Sequence, residues 1–147
     1  YISINFNFII MKIVSACLAG INCRWDGESR PCQKVVDLVK QGKAIPVCPE
    51  QLGGLTTPRT PAEQKDEKVF TKTGEDVTSQ FEKGAEEALK IALLSNCDEA
   101  IIKSKSPSCG CGKVYDGTFS GKLIDGDGVF AKILKKNNIK VFSENDI

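Results

Sequence analysis

The residues best able to do chemistry in this chain are its seven cysteines, and no histidine accompanies them. Three draw attention by their surroundings. Cys17 follows a short apolar run, Cys48 follows another and stands before a proline, and Cys109 lies in the glycine-rich stretch "SPSCGCGK". An odd count excludes complete intramolecular pairing. In a reducing cytosol, the compartment expected here, clustered cysteines point to a metal or to catalysis rather than to disulfides. The lack of histidine rules out every histidine-containing zinc site and any Cys–His catalytic pair. Thiolates alone suit a four-cysteine zinc site and an iron–sulfur cluster alike, and spacing does not choose between them. No C-x-x-C knuckle is present.

Glu50 stands two residues beyond Cys48 in "CPEQLGG". It reads either as a solvated loop carboxylate or as a general acid/base beside a metal. Ser106 and Ser108 either hold turns through side-chain to backbone bonds or orient a substrate. Arg59, in "TPRTP", is a surface charge or an anion clamp. Cys97, after a helical apolar face, reads as a small buried side chain. Phosphate-binding and dinucleotide-binding glycine patterns are absent, and "DGDG" at Asp125 lacks the later ligands of a calcium loop.

These residues need elements to position them. A length of 147 residues, 41% apolar and 27% charged, is that of one soluble domain with a core. A net charge of +1 argues against a polybasic nucleic-acid binder, and the apolar stretch at residues 1–10 is far short of a membrane span, so neither nucleic acid nor membrane is expected as a partner. Residues 1–10 read as an extension preceding the domain, which is expected over 11–147. "MKIVSACLAG" loosely resembles a lipoprotein signal, but its apolar stretch is too short, and a buried first strand is the better reading.

Strands are expected at 12–16, 44–47, 68–72, 99–103 and 139–142. A helix is expected with Pro31 at its first position and Gly42 as its C-cap. Another is capped by Thr78 or Ser79 and carries Phe81, Ala85, Ala88, Leu89, Ala92 and Leu93 on one face, and a last one is capped by Asp127. The segment after Cys48 is expected to be irregular, with its prolines and Gly-Gly pair. Alternating strands and helices imply a single α/β domain with a largely parallel sheet flanked by helices. In such sheets ligands bind beyond the carboxyl ends of the strands. Cys17, Cys48 and Cys109 each follow such an end, so three remote thiols are expected at one edge of the sheet.

The segments "SACLAGINCRWDG", "PVCPEQLGGLTTPRTPAE", "GEDVTSQFEKGAEEAL", "SPSCGCGKVYDGTFSG" and "GDGVFAKIL" together resemble the thiouracil desulfidase-like family, in order from about Met11 to the C-terminus. The resemblance implies a Rossmann-like domain holding a 4Fe–4S cluster through Cys17, Cys48 and Cys109, with Glu50 as acid/base and Ser106 as catalytic serine. A desulfidase acting on a small thiolated heterocycle such as 2-thiouracil is then expected: three cysteines leave one iron open for the thiocarbonyl sulfur, and no net electron transfer is needed. The alternatives are a zinc-stabilised cysteine-rich binding module and a cluster enzyme passing sulfur to another acceptor. Cys23, Cys32 and Cys111 are spare ligands, sulfur acceptors or small side chains on this reading.

Overall fold

The structure, a computed structural model, describes residues 10–147. The expectation that residues 1–10 form a separate extension therefore falls almost wholly outside the described residues. Four parallel strands form the central sheet: β1 (Met11–Ser15), β2 (Ala44–Val47), β5 (Cys97–Ile102) and β8 (Lys140–Ser143), in the order β2-β1-β5-β8. The apolar runs of the central strands β1 and β5 are buried on both faces, as parallel strands require. Neighbouring residues of β1 show this. Ile13 packs into the layer formed with α3 (Thr78–Leu94) and α4 (Val129–Lys136), whereas Val14 packs into the layer formed with α1 (Gln33–Lys40).

Two antiparallel hairpins stand beyond the sheet: β3 (Ala62–Lys65) with β4 (Lys68–Thr71), and β6 (Lys113–Tyr115) with β7 (Leu123–Asp125). The expected strand at 68–72 is thus the second arm of a hairpin. The irregular segment after Cys48 contains one turn of helix, α2 (Pro49–Leu52), and then β3. Helix boundaries also differ from the sequence expectation. α1 begins at Gln33 behind Cys32 rather than at Pro31. α3 is preceded by Val77, so Thr78 is its first residue; the Thr78 hydroxyl bonds Asp76 instead of capping the helix. Gly128, not Asp127, precedes α4, because the Asp127 carboxylate accepts from Gly112 N–H and from Lys135.

α2 owes its position to a close backbone approach. A Cβ on Gly84 of α3 would stand 1.8 Å from the Pro49 carbonyl oxygen, and one on Gly53 would stand 1.9 Å from the Gln80 carbonyl oxygen. Neither space holds a methyl group. Gly84→Ala should gain up to about 1 kcal/mol in helix propensity. It must also separate two backbones, and overpacking of this kind costs about 1–3 kcal/mol or more. The expected result is net destabilisation, with a Tm lowered by roughly 2–4 °C per kcal/mol. Calorimetry of the variant checks this, and a Tm equal to or above that of the unchanged chain would refute the packing argument.

Candidate metal centre and active site

The carboxyl ends of all four parallel strands deliver side chains to one cavity of about 850 Å³. Cys17 lies in the 3₁₀ turn Ala16–Ala19 that continues β1. Cys48 directly follows β2, and Cys109 lies in the loop that leaves β5. Glu144 directly follows β8. Cys17, Cys48, Cys109, Glu50 and Ser106 all line this cavity. Side chains as far apart in the chain as Cys17 and Glu144 are brought together because parallel strands end on the same side.

The loop bearing Cys109 is bound on two sides. Its own turn closes through Gly110 N–H to the Ser106 carbonyl at 2.8 Å. The Ser106 hydroxyl oxygen accepts from Ser108 N–H (3.1 Å) and Cys109 N–H (3.0 Å). The start of α4 supplies the second anchor: Val129 N–H donates to the Pro107 carbonyl at 3.0 Å and Phe130 N–H to the Ser108 carbonyl at 2.8 Å. Gly128 permits this approach, since a Cβ there would stand 2.2 Å from the Ser108 carbonyl oxygen. Ser106 therefore performs the turn-holding role. Its hydroxyl oxygen is used as an acceptor, which leaves its proton free to be donated into the cavity. Ser108 is fully buried, and its hydroxyl has no partner among the described residues.

Burial pushes the Cys17 thiol up to about 11, with the nearby Cys48 acting in the same direction. Burial likewise pushes the Cys109 thiol well above the ordinary range, against a bond from the Ser15 hydroxyl that favours its thiolate. Cys48 is displaced downward, chiefly by a hydrogen bond from the Cys23 thiol, and Cys23 is displaced upward by the same bond and by burial. Burial raises Glu50, while the adjacent Arg59 pulls it down without cancelling the rise. The Arg59 side chain is 7% exposed and its Nη2 stands 3.4 Å from Glu50 Oε2. Arg59 is thus an internal partner of Glu50, and the surface reading of it is corrected.

The remaining cysteines separate cleanly. Cys23 lines the cavity beside Cys48, whose Sγ lies 3.7 Å from the Cys23 carbonyl oxygen. Cys111 does not line it; its Sγ faces the Val141 carbonyl oxygen at 3.9 Å. Cys97 is a core residue, as expected, and Cys32 packs against the layer under α1. Lys103 and Glu144 were missed in the sequence. Lys103 Nζ stands 3.1 Å from Glu144 Oε2, and Ser104 N–H donates to Glu144 Oε1 at 2.8 Å. The signal was available, since both follow a strand end.

Glu144 supports a pH prediction. Burial alone would raise its carboxyl, but the Ser104 N–H bond and Lys103 outweigh that and hold it below the ordinary value. A carboxylate with a depressed folded value stabilises above its unfolded pKa, about 4.3, and the contribution is lost as pH falls through the folded value. Glu144→Gln should therefore be less stable than the unchanged chain in urea at about pH 7, with the difference closing near pH 3. A difference of the same size at both pH values would contradict this.

Four thiols, those of Cys17, Cys23, Cys48 and Cys109, line one cavity, yet among the described residues no three Cys, Asp or Glu side chains converge closely enough to hold a single ion. A mononuclear zinc site needs its ligands about one 2.3 Å bond from a common point. A cavity lined by thiols in a chain without histidine has the donor chemistry of an iron–sulfur group, whose ligands are thiolates.

Fold and site together define a parallel α/β domain with a thiol-lined cavity and a half-buried carboxylate at the carboxyl edge of its sheet. Residues 13–146 match the model of the 2-thiouracil desulfurase family, and the chain belongs to that family. It is 44% identical to the uncharacterized protein YbbK of Bacillus subtilis (strain 168), over 93% of this chain and 97% of that one. Its fold matches the solved structure of the [4Fe-4S]-dependent thiouracil desulfidase TudS with a TM-score of 0.89 and 43% identity, covering 93% of this chain and 92% of that chain.

Proposed function

We propose that this protein is a 4Fe–4S-dependent, non-redox desulfidase that removes sulfur from a small thiolated heterocycle such as 2-thiouracil. The observation that carries the reading is one cavity lined at once by Cys17, Cys48, Cys109, Glu50 and Ser106. The likeness to TudS supports it over the full domain. Cys17, Cys48 and Cys109 would hold the cluster. A cluster bound by three thiolates supplies an open iron, a Lewis acid with affinity for soft sulfur.

The chain's own groups do the rest. The Ser106 proton, left free by the turn, is donated to a polar atom of the heterocycle and orients its thiocarbonyl. Glu50 accepts a proton from water as the oxygen attacks the thiocarbonyl carbon. The carbon–sulfur bond breaks, sulfur leaves as hydrosulfide and a carbonyl remains. Water is consumed and no electrons are exchanged, so the reaction is a hydrolysis. Burial raises the basicity of the Glu50 carboxylate. An all-thiol centre of this kind suits a reducing compartment, the cytoplasm. No helix among the described residues is long and apolar enough to cross a membrane.

The test is anaerobic reconstitution followed by iron, zinc and acid-labile sulfide analysis, and then an assay for sulfide released from 2-thiouracil. Iron and sulfide in equal amounts, with catalytic release, are expected. Zinc in place of iron would overturn the reading in favour of a structural metal.

A further inference from the structure

We infer that Arg59 is a positioning residue for this reaction, acting through Glu50. The inference rests on the desulfidase reading above and extends it to a residue outside the cysteine, carboxylate and serine set.

The direction of control follows from how each partner is held. The Arg59 guanidinium is fixed from several sides. Nη1 donates to the Thr56 carbonyl at 3.1 Å and to Thr57 Oγ1 at 2.9 Å, and Nη2 donates to the Cys23 carbonyl at 3.0 Å. Its backbone N–H donates to the Trp25 carbonyl at 2.8 Å. Arg59 is therefore fixed whether or not Glu50 is present. Glu50 stands on the single turn of α2, and its ion pair with Arg59 Nη2 at 3.4 Å is its only one among the described residues. Removing Arg59 frees Glu50, whereas removing Glu50 leaves Arg59 with its other acceptors.

The same guanidinium spans the segment that carries Cys23 and the turn that carries Glu50. The rigid guanidinium holds Nη2 between the Cys23 carbonyl and Glu50 Oε2, whereas a flexible ammonium would set only charge. Misplacement of a catalytic group by about 1 Å costs on the order of 10²-fold in rate.

The experiment compares Arg59→Met, Arg59→Lys, Glu50→Gln and the double variant Glu50→Gln/Arg59→Met, each loaded with its cluster. Arg59→Met is expected to lower kcat about 10- to 100-fold with KM and iron content close to those of the unchanged chain. Arg59→Lys is expected to fall between the two. On the Glu50→Gln background, Arg59→Met should cost nothing further, because its target is already disabled. Losses that multiply in the double variant would overturn the inference, as would iron loss in step with activity in Arg59→Met. If Arg59→Met does not fold, Arg59→Lys decides: a kcat equal to that of the unchanged chain overturns it. Crystal structures supply a readout independent of turnover, with the Glu50 carboxylate expected to leave its place in the Arg59 variants. If the unchanged, cluster-loaded chain releases no sulfide from 2-thiouracil, the desulfidase reading fails on its own. Positioning is then judged from the structures, and a carboxylate that stays in place overturns it.

Discussion

Cys109→Ala, reconstituted anaerobically, should lose the intact cluster, whereas Cys111→Ala should keep it. The two cysteines are two positions apart in one loop, and their environments divide them. Cys109 is buried in the wall of the cavity and is influenced electrostatically by both Cys17 and Cys48. Its N–H is held by the Ser106 hydroxyl at 3.0 Å, which fixes the backbone that aims the thiol. Cys111 faces the other way, with Sγ 3.9 Å from the Val141 carbonyl oxygen on β8. Bringing it into the cavity would mean breaking the Gly112 N–H bond to Asp127 that holds the next residue. Loss of one thiolate from a three-thiolate site removes one of only three protein anchors, and structural metal affinity scales with the ligands present. Iron and acid-labile sulfide content, with the visible absorbance of the cluster, measure the outcome. Equal loss in both variants would refute the assignment and favour four-cysteine coordination, which would close the open iron.

Glu50→Gln should retain the cluster and lose most of the activity. The amide is nearly isosteric and can still contact Arg59, so α2 and Cys48 are expected to stay in place. It cannot accept the proton from water. General acid–base catalysis contributes about 10²- to 10⁴-fold, a barrier difference of roughly 3–5 kcal/mol. A fall in kcat of that size, with iron content unchanged, is the expected result. Activity within a few-fold of the unchanged chain would show that Glu50 serves only as the ion partner of Arg59. Loss of iron in parallel with activity would show instead that the carboxylate supports the Cys48 turn.

The parallel sheet was readable because its strands are short apolar runs separated by helices of clear 3.6-residue periodicity, and both signals are local. The placement of Cys17, Cys48 and Cys109 followed from that topology, since each sits at or beyond a strand's carboxyl end. The single turn of α2 was not readable: four residues between a cysteine and a Gly-Gly pair are too short to show a period, and Gly84, 31 positions after Gly53, creates the groove that holds it. The hairpin β3–β4 was half seen, because an isolated polar strand such as Ala62–Lys65 is defined by its partner rather than by its own composition.

Residue types and the alternation of strands with helices thus determined, from the sequence by itself, an α/β domain with three thiols gathered at one edge, while Glu50 read equally as a solvated loop carboxylate. Orientation and pairing were decided only by tertiary structure. Arg59 could be a surface charge until the loop folded back to place it against Glu50 and the Cys23 carbonyl. Cys111 and Cys109 were equivalent in composition until α4 and β8 packed against their loop and turned one thiol away. Lys103 and Glu144 became partners only because β5 and β8 run side by side and end together. Local periodicity sets where a strand or helix lies, while which side chains meet beyond their ends depends on contacts between segments far apart in the chain.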